Sequence, residues 1–309
     1  MKTFLDTIGN DIQGSQNLAE ALKNGKLDWT AKESPVEYHA DSEEVRFAPQ
    51  HKVIYKDSDK STLGIVGINY GVIQNTEAFA IAEALIGGDV KFYRAGQVLG
   101  QTYLVLKGEK TLLLNEEVDN FIVIRNSFDG SSRLQISWVP VLNTNNGQIF
   151  LGTQHQRVFA IKHSSAWIKK YGKTFVESLV SDGNQALESY ARAMLAINYT
   201  PSQLTRVLDQ FLPLKYDKEG KPRDKANEAV KEKRAQFATI LNSVDLAQYS
   251  GTAYQVYRAL HELETHSFQT AKIKKPTRAE YKRVKYLFTN RSEAVEATQY
   301  LEKVIVGKI

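Results

Sequence analysis

The 309 residues are enough for one large domain or two ordinary ones, and 42% hydrophobic with 24% charged residues is the balance of a globular chain. The absence of cysteine excludes disulfides, thiolate metal sites and a cysteine nucleophile, and no apolar run approaches the roughly 18 residues of a membrane span. The net charge of +5 is uneven: residues 1–200 carry 20 basic and 22 acidic side chains, residues 201–309 carry 20 and 13. Lys272 to Lys285 holds seven basic residues against one acid, Glu280. Such a patch suits counterion release from a phosphate backbone, and a solvated helix face has the same composition.

Residues 1–60 read as an N-terminal segment. Ser15 to Lys23 forms a short helix with Leu18, Ala21 and Leu22 on one side, Leu27-Asp28-Trp29 follows, and after a charged stretch Lys52–Tyr55 is a short strand. The opening MKTFLDTIGNDIQG lacks an apolar signal core, so a cytoplasmic location is expected. Residues 61–163 form the core. After the small-residue run Leu63–Gly71, Asn75 is the expected N-cap of a helix with Glu77 in its first turn. Ala78, Phe79, Ala82, Leu85 and Ile86 make the apolar face, and Gly87-Gly88 ends it. Lys91–Ala95, Thr102–Lys107, Phe121–Ser127, Arg133–Val139, Gln148–Leu151 and Arg157–Lys162 are strands. Asp129-Gly130 marks a hairpin, and Leu134, Ile136 and Trp138 alternate with Arg133, Gln135 and Ser137.

From Ser164 the apolar period changes from two to 3.6. Helices are expected over 164–180, 184–198, 201–212, 224–243, 252–268, 277–288 and 291–304, with capping boxes opening at Thr200, Thr252 and Thr277. Lys215 to Lys225 is the linker candidate. The fold class is therefore α+β: a mostly antiparallel sheet with a packed helix, then a helical region over 164–309 that either stands apart or packs with the core.

Four segments carry a family likeness: Leu27-Asp28-Trp29, the stretch from Val66-Gly67 through Tyr70-Gly71-Val72-Ile73-Gln74-Asn75-Thr76-Glu77-Ala78-Phe79, Arg94-Ala95-Gly96, and Asp129-Gly130-Ser131-Ser132. With Ile161–Ser164 and Gly251–Tyr254 through His266, they resemble the phage and plasmid family known as domain of unknown function 932, over roughly residues 20–270. That family commonly has a Cys-x-Asn-Thr-Leu motif after the hairpin, where this chain has only Asn143-Thr144-Asn145-Asn146. The resemblance implies a phage, prophage or plasmid source and no agreed activity. The order of helix, hairpins and helices is also similar in architecture to phage single-strand annealing proteins, an analogy of fold alone.

Nucleic-acid binding needs cations for phosphates and flat side chains for bases. The sheet offers Arg94, Arg125, Arg133, Arg157 and Lys162 near Tyr93, Phe128 or Trp138, with Trp138 read first as a core residue. The helical region offers Lys272, Lys274, Lys275, Arg278, Lys282 and Arg283. Catalysis has weaker support. His155/His163 and His261/His266 are eight and five apart, not the three or four that stack two ligands on one helix face. Turn chemistry explains Asp129 and Ser131 without a hydrolytic partnership with His163. Gly172-Lys173-Thr174 has Trp167 where a phosphate loop needs glycine, and Gly64, Gly67 and Gly71 lack the dinucleotide spacing.

The expectation is a phage-type, non-enzymatic protein that binds and anneals single-stranded DNA during replication or recombination. It would act as a homo-oligomer in the host cytoplasm, with no metal, cofactor or membrane. The alternatives are a protein that binds a host factor, and an unrecognised hydrolase or nuclease.

Overall fold

A computed structural model describes residues 5–41, 44–145, 147–152, 158–161, 165–221, 223–270 and 292–306. It has two sheets, both antiparallel throughout. The larger runs β1 (Asn10–Asp11), β5 (Lys91–Val98), β6 (Gln101–Lys107), β8 (Glu116–Ser127), β9 (Leu134–Thr144) and β10 (Gly147–Phe150), with β7 (Thr111–Leu113) on β8 and β11 (Val158–Ile161) on β9. The smaller is β2 (Ala31–Asp41), β3 (Glu44–Lys56) and β4 (Thr62–Gly67). The fold is α+β, as the change of period predicts.

The first face of the larger sheet carries Leu104, Leu106, Ile122, Ile124, Ile136 and Trp138. They share one apolar cluster with α1 (Leu18–Asn24), α3 (Ala80–Leu85) and the C-terminal helices α4 (Ser165–Leu195), α6 (Asp224–Leu241), α7 (Ala253–Thr270) and α8 (Glu293–Ile305). α5 (Pro201–Phe211) adds Val207 to it. The other face is buried too. Tyr103, Val105, Phe121, Val123, Val139 and Val141 form a second cluster with Leu5 and Ile8 from the N-terminus. The alternation along β9 therefore does not separate core from solvent, and even Ser137 is only 3% exposed. Burial on both faces matches the apolar run Phe121–Ile124 in the middle of β8, which the buried polar residues Asp119, Asn120, Asn126 and Ser127 flank.

Several elements differ from expectation, each for a local reason. The helix over 75–86 is two, α2 (Asn75–Ala78) and α3, parted at Phe79, whose side chain is fully buried. Its N-cap is Gln74 rather than Asn75, with Glu77 Oε2 accepting the Gln74 N–H at 3.2 Å. Asn75 is instead 1% exposed and bonds into the core. The helices at 164–180 and 184–198 are one. α4 passes straight through Gly183, where a Cβ would come within 2.5 Å of the Trp138 ring, so this glycine serves close approach rather than termination. β2 occupies the charged stretch that showed no strand pattern, and β3 is far longer than Lys52–Tyr55. Thr200 opens α5 with its capping box, Gln203 reaching back to the Thr200 N–H at 2.8 Å. In the linker candidate, Asn227 clamps Lys215 by both its N–H (2.7 Å) and its carbonyl (2.8 Å). The helix expected over 277–288 lies outside the described residues. Among the described residues no helix is long and apolar enough to cross a membrane.

Candidate functional site

The hairpin after β8 is a polar knot. The Asp129 carboxylate accepts from Ser127 Oγ at 2.6 Å and from the Ser131 N–H at 2.9 Å, while Gln101 Nε2 donates to Ser131 Oγ. Partial burial works to raise the Asp129 carboxyl, and the Ser127 and Ser131 donors outweigh it, leaving the group below the ordinary carboxylate value. Gly64 and Gly100 let β4 and the β5–β6 turn close on this residue. A Cβ at Gly64 would lie 2.5 Å from Asp129 Cα, and one at Gly100 would lie 2.6 Å from Asp129 Cβ.

The remaining motif segments tie into the same end of the sheet. Tyr70 Oη donates to the Ser127 carbonyl at 2.6 Å, and Asn126 Nδ2 donates to the Ile73 carbonyl at 2.9 Å. Thr102 Oγ1 donates to Asn75 Oδ1 at 2.9 Å, and Asn75 Nδ2 donates to the Leu27 carbonyl at 3.0 Å. The Gln74 amide pairs with Ala31 in both directions, at 2.9 and 3.1 Å. Trp29 packs its ring 5.2 Å from Phe128. Three of the four family-like segments thus meet at one place: 27–29, 66–79 and 129–132. The fourth, Arg94-Ala95-Gly96, stands on β5 beside the N-terminus.

The outer surface of this junction carries two stacked cation–ring pairs. Lys56 Nζ lies 5.1 Å from the Trp29 ring centroid, and Lys60 Nζ lies 5.9 Å from that of Tyr55. Trp29, Tyr55 and Lys56 are half-buried and Lys60 is exposed, with the Trp29 indole Nε1 itself enclosed. Nearby acids are engaged with the chain: Asp57 accepts the Thr30 N–H, and Asp59 accepts the Ser61 N–H and hydroxyl. A flat ring beside an ammonium is what a stacked base and its phosphate require.

The residues singled out from sequence fall differently. Arg94 is 9% exposed and held by Asp6 (3.3 Å) and Asp11 (3.5 Å), so its charge is balanced inside the fold. Arg125, half-buried, donates to Gln135 Oε1 at 3.3 Å, and Arg133 is exposed at the start of β9. Arg157, Lys162, Lys272, Lys274, Lys275, Arg278, Lys282 and Arg283 lie outside the described residues, as does His163. Tyr93, Phe128 and Trp138 are all core residues, the last donating its Nε1–H to Asn120 Oδ1 at 2.8 Å. Trp29 and Tyr55, the half-buried rings beside Lys56 and Lys60, are not among the residues the sequence singles out for binding. The available signal was Leu27-Asp28-Trp29 followed by Tyr55-Lys56, aromatic and basic residues that become neighbours only when β2 and β3 pair.

A second polar cluster is internal. Arg258 on α7 is fully buried and donates to Glu116 Oε2 at 2.5 Å, and Tyr249 Oη donates to the same oxygen at 2.8 Å. His261, one turn on, is fully buried 4.5 Å from the Tyr257 ring. Burial pushes its imidazole down to about 3; the Phe150 backbone works against this, and the Arg258 charge adds to it. Among the described residues no three or more His, Asp or Glu side chains are placed to hold a metal ion.

A family model matches residues 62–288, from the first residue of β4 through the junction to the C-terminal helices. The chain belongs to that family, the one described as Domain of unknown function (DUF932). No curated protein and no solved structure matches the chain significantly. The junction is therefore largely shared-domain structure, since most of its contacts arise between residues 62 and 131.

Proposed function

We propose that the protein binds single-stranded nucleic acid, handling DNA strands in phage or plasmid replication or recombination within the host cytoplasm. The observation that supports this is the pair of half-buried aromatic residues, Trp29 and Tyr55, each with a lysine ammonium over its ring, at the junction of the family-like segments. Bases would stack on the rings. Lys56, Lys60 and the neighbouring Lys32 would take phosphates, and the cationic second half of the chain would extend the track. No nucleophile, base or metal set is required.

The test is fluorescence anisotropy with a labelled single-stranded oligonucleotide, and a duplex of equal length, at low and moderate salt. Binding should favour the single strand and fall with salt, because each neutralised phosphate releases counterions. Replacing Trp29 by Ala removes one stacking platform, about 1–3 kcal/mol or roughly 5- to 150-fold in affinity. Absent or salt-independent binding, or full affinity in W29A, refutes the assignment.

A further inference from the structure

β2 and β3 extend beyond the sheet that anchors them. β4 pairs with β3 only over 51–55, whereas β2 stays paired with it out to Asp41 opposite Glu44. The outer ribbon stands in water on both faces. Cross-strand pairing puts Phe47 beside Glu37 and Val45 beside His39 on one face, and Tyr38 beside Arg46 on the other. Tyr38 is 47% exposed, Val45 46% and Phe47 58%. A two-stranded ribbon is marginal in water by itself, and an arm that carries large apolar groups on both faces is built to be covered.

Its charge narrows what covers it. Glu37, Asp41 and Glu44 lie within residues 37–44, which contain no lysine or arginine. Arg46 is already paired with Glu44 at 2.9 Å. Such an arm repels a nucleic-acid backbone and repels an identical arm, which disfavours a two-fold arm-to-arm contact. The complementary surface is on the same molecule. In the loop between α5 and α6, Lys215, Lys218, Arg223 and Lys225 are exposed, and Tyr216 beside them is 55% exposed. The acids of that loop are engaged locally: Asp217 with the Glu219 and Lys221 amides, Glu219 with Lys221 (3.4 Å), and Asp224 with Lys231 (3.2 Å). Asn227 holds the loop from behind through both polar groups of the Lys215 backbone, so the cations sit on a preformed surface.

We propose that the β2–β3 arm docks on the Lys215–Lys225 loop of a second copy of this chain, head to tail. Phe47 and Val45 cover Tyr216, Glu37 meets Lys218, and Glu44 exchanges its exposed Arg46 partner for Arg223. A contact between two different surfaces propagates, so it closes into a ring or grows as a filament rather than stopping at a dimer. The inference does not depend on nucleic-acid binding, because both surfaces belong to the protein.

Sedimentation velocity of the full chain, with no nucleic acid present, tests it. The sedimentation coefficient should rise with protein concentration and fall with salt. Phe47→Glu, at an exposed position, should leave a monomer, and a thermal melt equal to wild type shows that the ribbon itself is intact. Glu37→Lys with Glu44→Lys should also be monomeric, as should Lys218→Glu with Arg223→Glu. Combining all four substitutions in one chain should restore assembly. A wild-type chain that stays monomeric at every concentration overturns the proposal, as does an F47E variant that assembles normally. Failure of the four-fold exchange to restore assembly overturns the assigned loop. None of these outcomes bears on the W29A binding result, so the two proposals fail separately.

Discussion

His261 should make the protein lose stability in mild acid, and the size of the loss follows from its burial. The imidazole is completely enclosed by α7 and the sheet, beside Tyr257, Arg258 and the Phe150 backbone, and titrates at about 3 instead of 6.5. The unfolded chain takes up a proton near pH 6.5, whereas the folded chain refuses it until about pH 3. The contribution is therefore fully present above the unfolded value and is lost as pH falls between the two. Integrating the proton difference gives roughly 2 kcal/mol lost between pH 7 and pH 5, and about 1.4 kcal/mol per unit below that. Glu264, whose carboxyl burial pushes up, acts in the opposite sense and is present in both proteins of the comparison, so it cancels. His261→Gln is of similar size and cannot be protonated at these pH values. Urea unfolding of both proteins at pH 7, 6 and 5, followed by tyrosine and tryptophan fluorescence, isolates the one group, since all other titrations cancel in the difference. The variant should lose roughly 2 kcal/mol less than wild type over the window. Equal losses in the two proteins refute the assignment of a buried, neutral imidazole at this position.

The remaining expectations concern packing and the internal ion pair. Gly183→Ala places a methyl 2.5 Å from the Trp138 ring and should cost about 1–3 kcal/mol by thermal melt, although alanine is the better helix former by about 1 kcal/mol. A stabilised variant would mean that α4 and β9 are not in contact there. Gly100→Ala, with its Cβ 2.6 Å from Asp129, should cost a similar amount and loosen the hairpin, measurable as faster amide exchange at Ser131. Arg258→Leu strands Glu116 without its cation and should destabilise by about 3 kcal/mol, while Arg258→Leu with Glu116→Gln should recover part of the loss. A single variant as stable as wild type would show that the pair contributes nothing net.

What local chemistry could specify was legible in the residues alone. The Thr200-Pro201-Ser202-Gln203 cap opens α5 because its bonds close within four residues. The β8–β9 hairpin follows from Asp129-Gly130 and flanking apolar runs, and the change of period from two to 3.6 places the helices after the sheet. The same locality misled over 181–183, the gap between two expected helices, since a glycine that parts helices and one that makes room for an indole look identical in sequence. It also concealed β2, because a ribbon with water on both faces has no apolar alternation to reveal it. The candidate surface lay further out of reach. Asn75 reaches Leu27 across 48 positions and Tyr70 reaches Ser127 across 57, and no periodicity records such pairs. Arg94 read as a free cation until Asp6 and Asp11 were seen beside it, and Trp29 met Lys56 only through strand pairing. Sequence by itself determined the α+β class and the change from strands to helices after the sheet, because backbone propensity, caps and turns act over a few residues. The tertiary structure alone decided which charges are balanced and which rings stay accessible, because burial and Coulomb pairing depend on distance in space, not on separation along the chain.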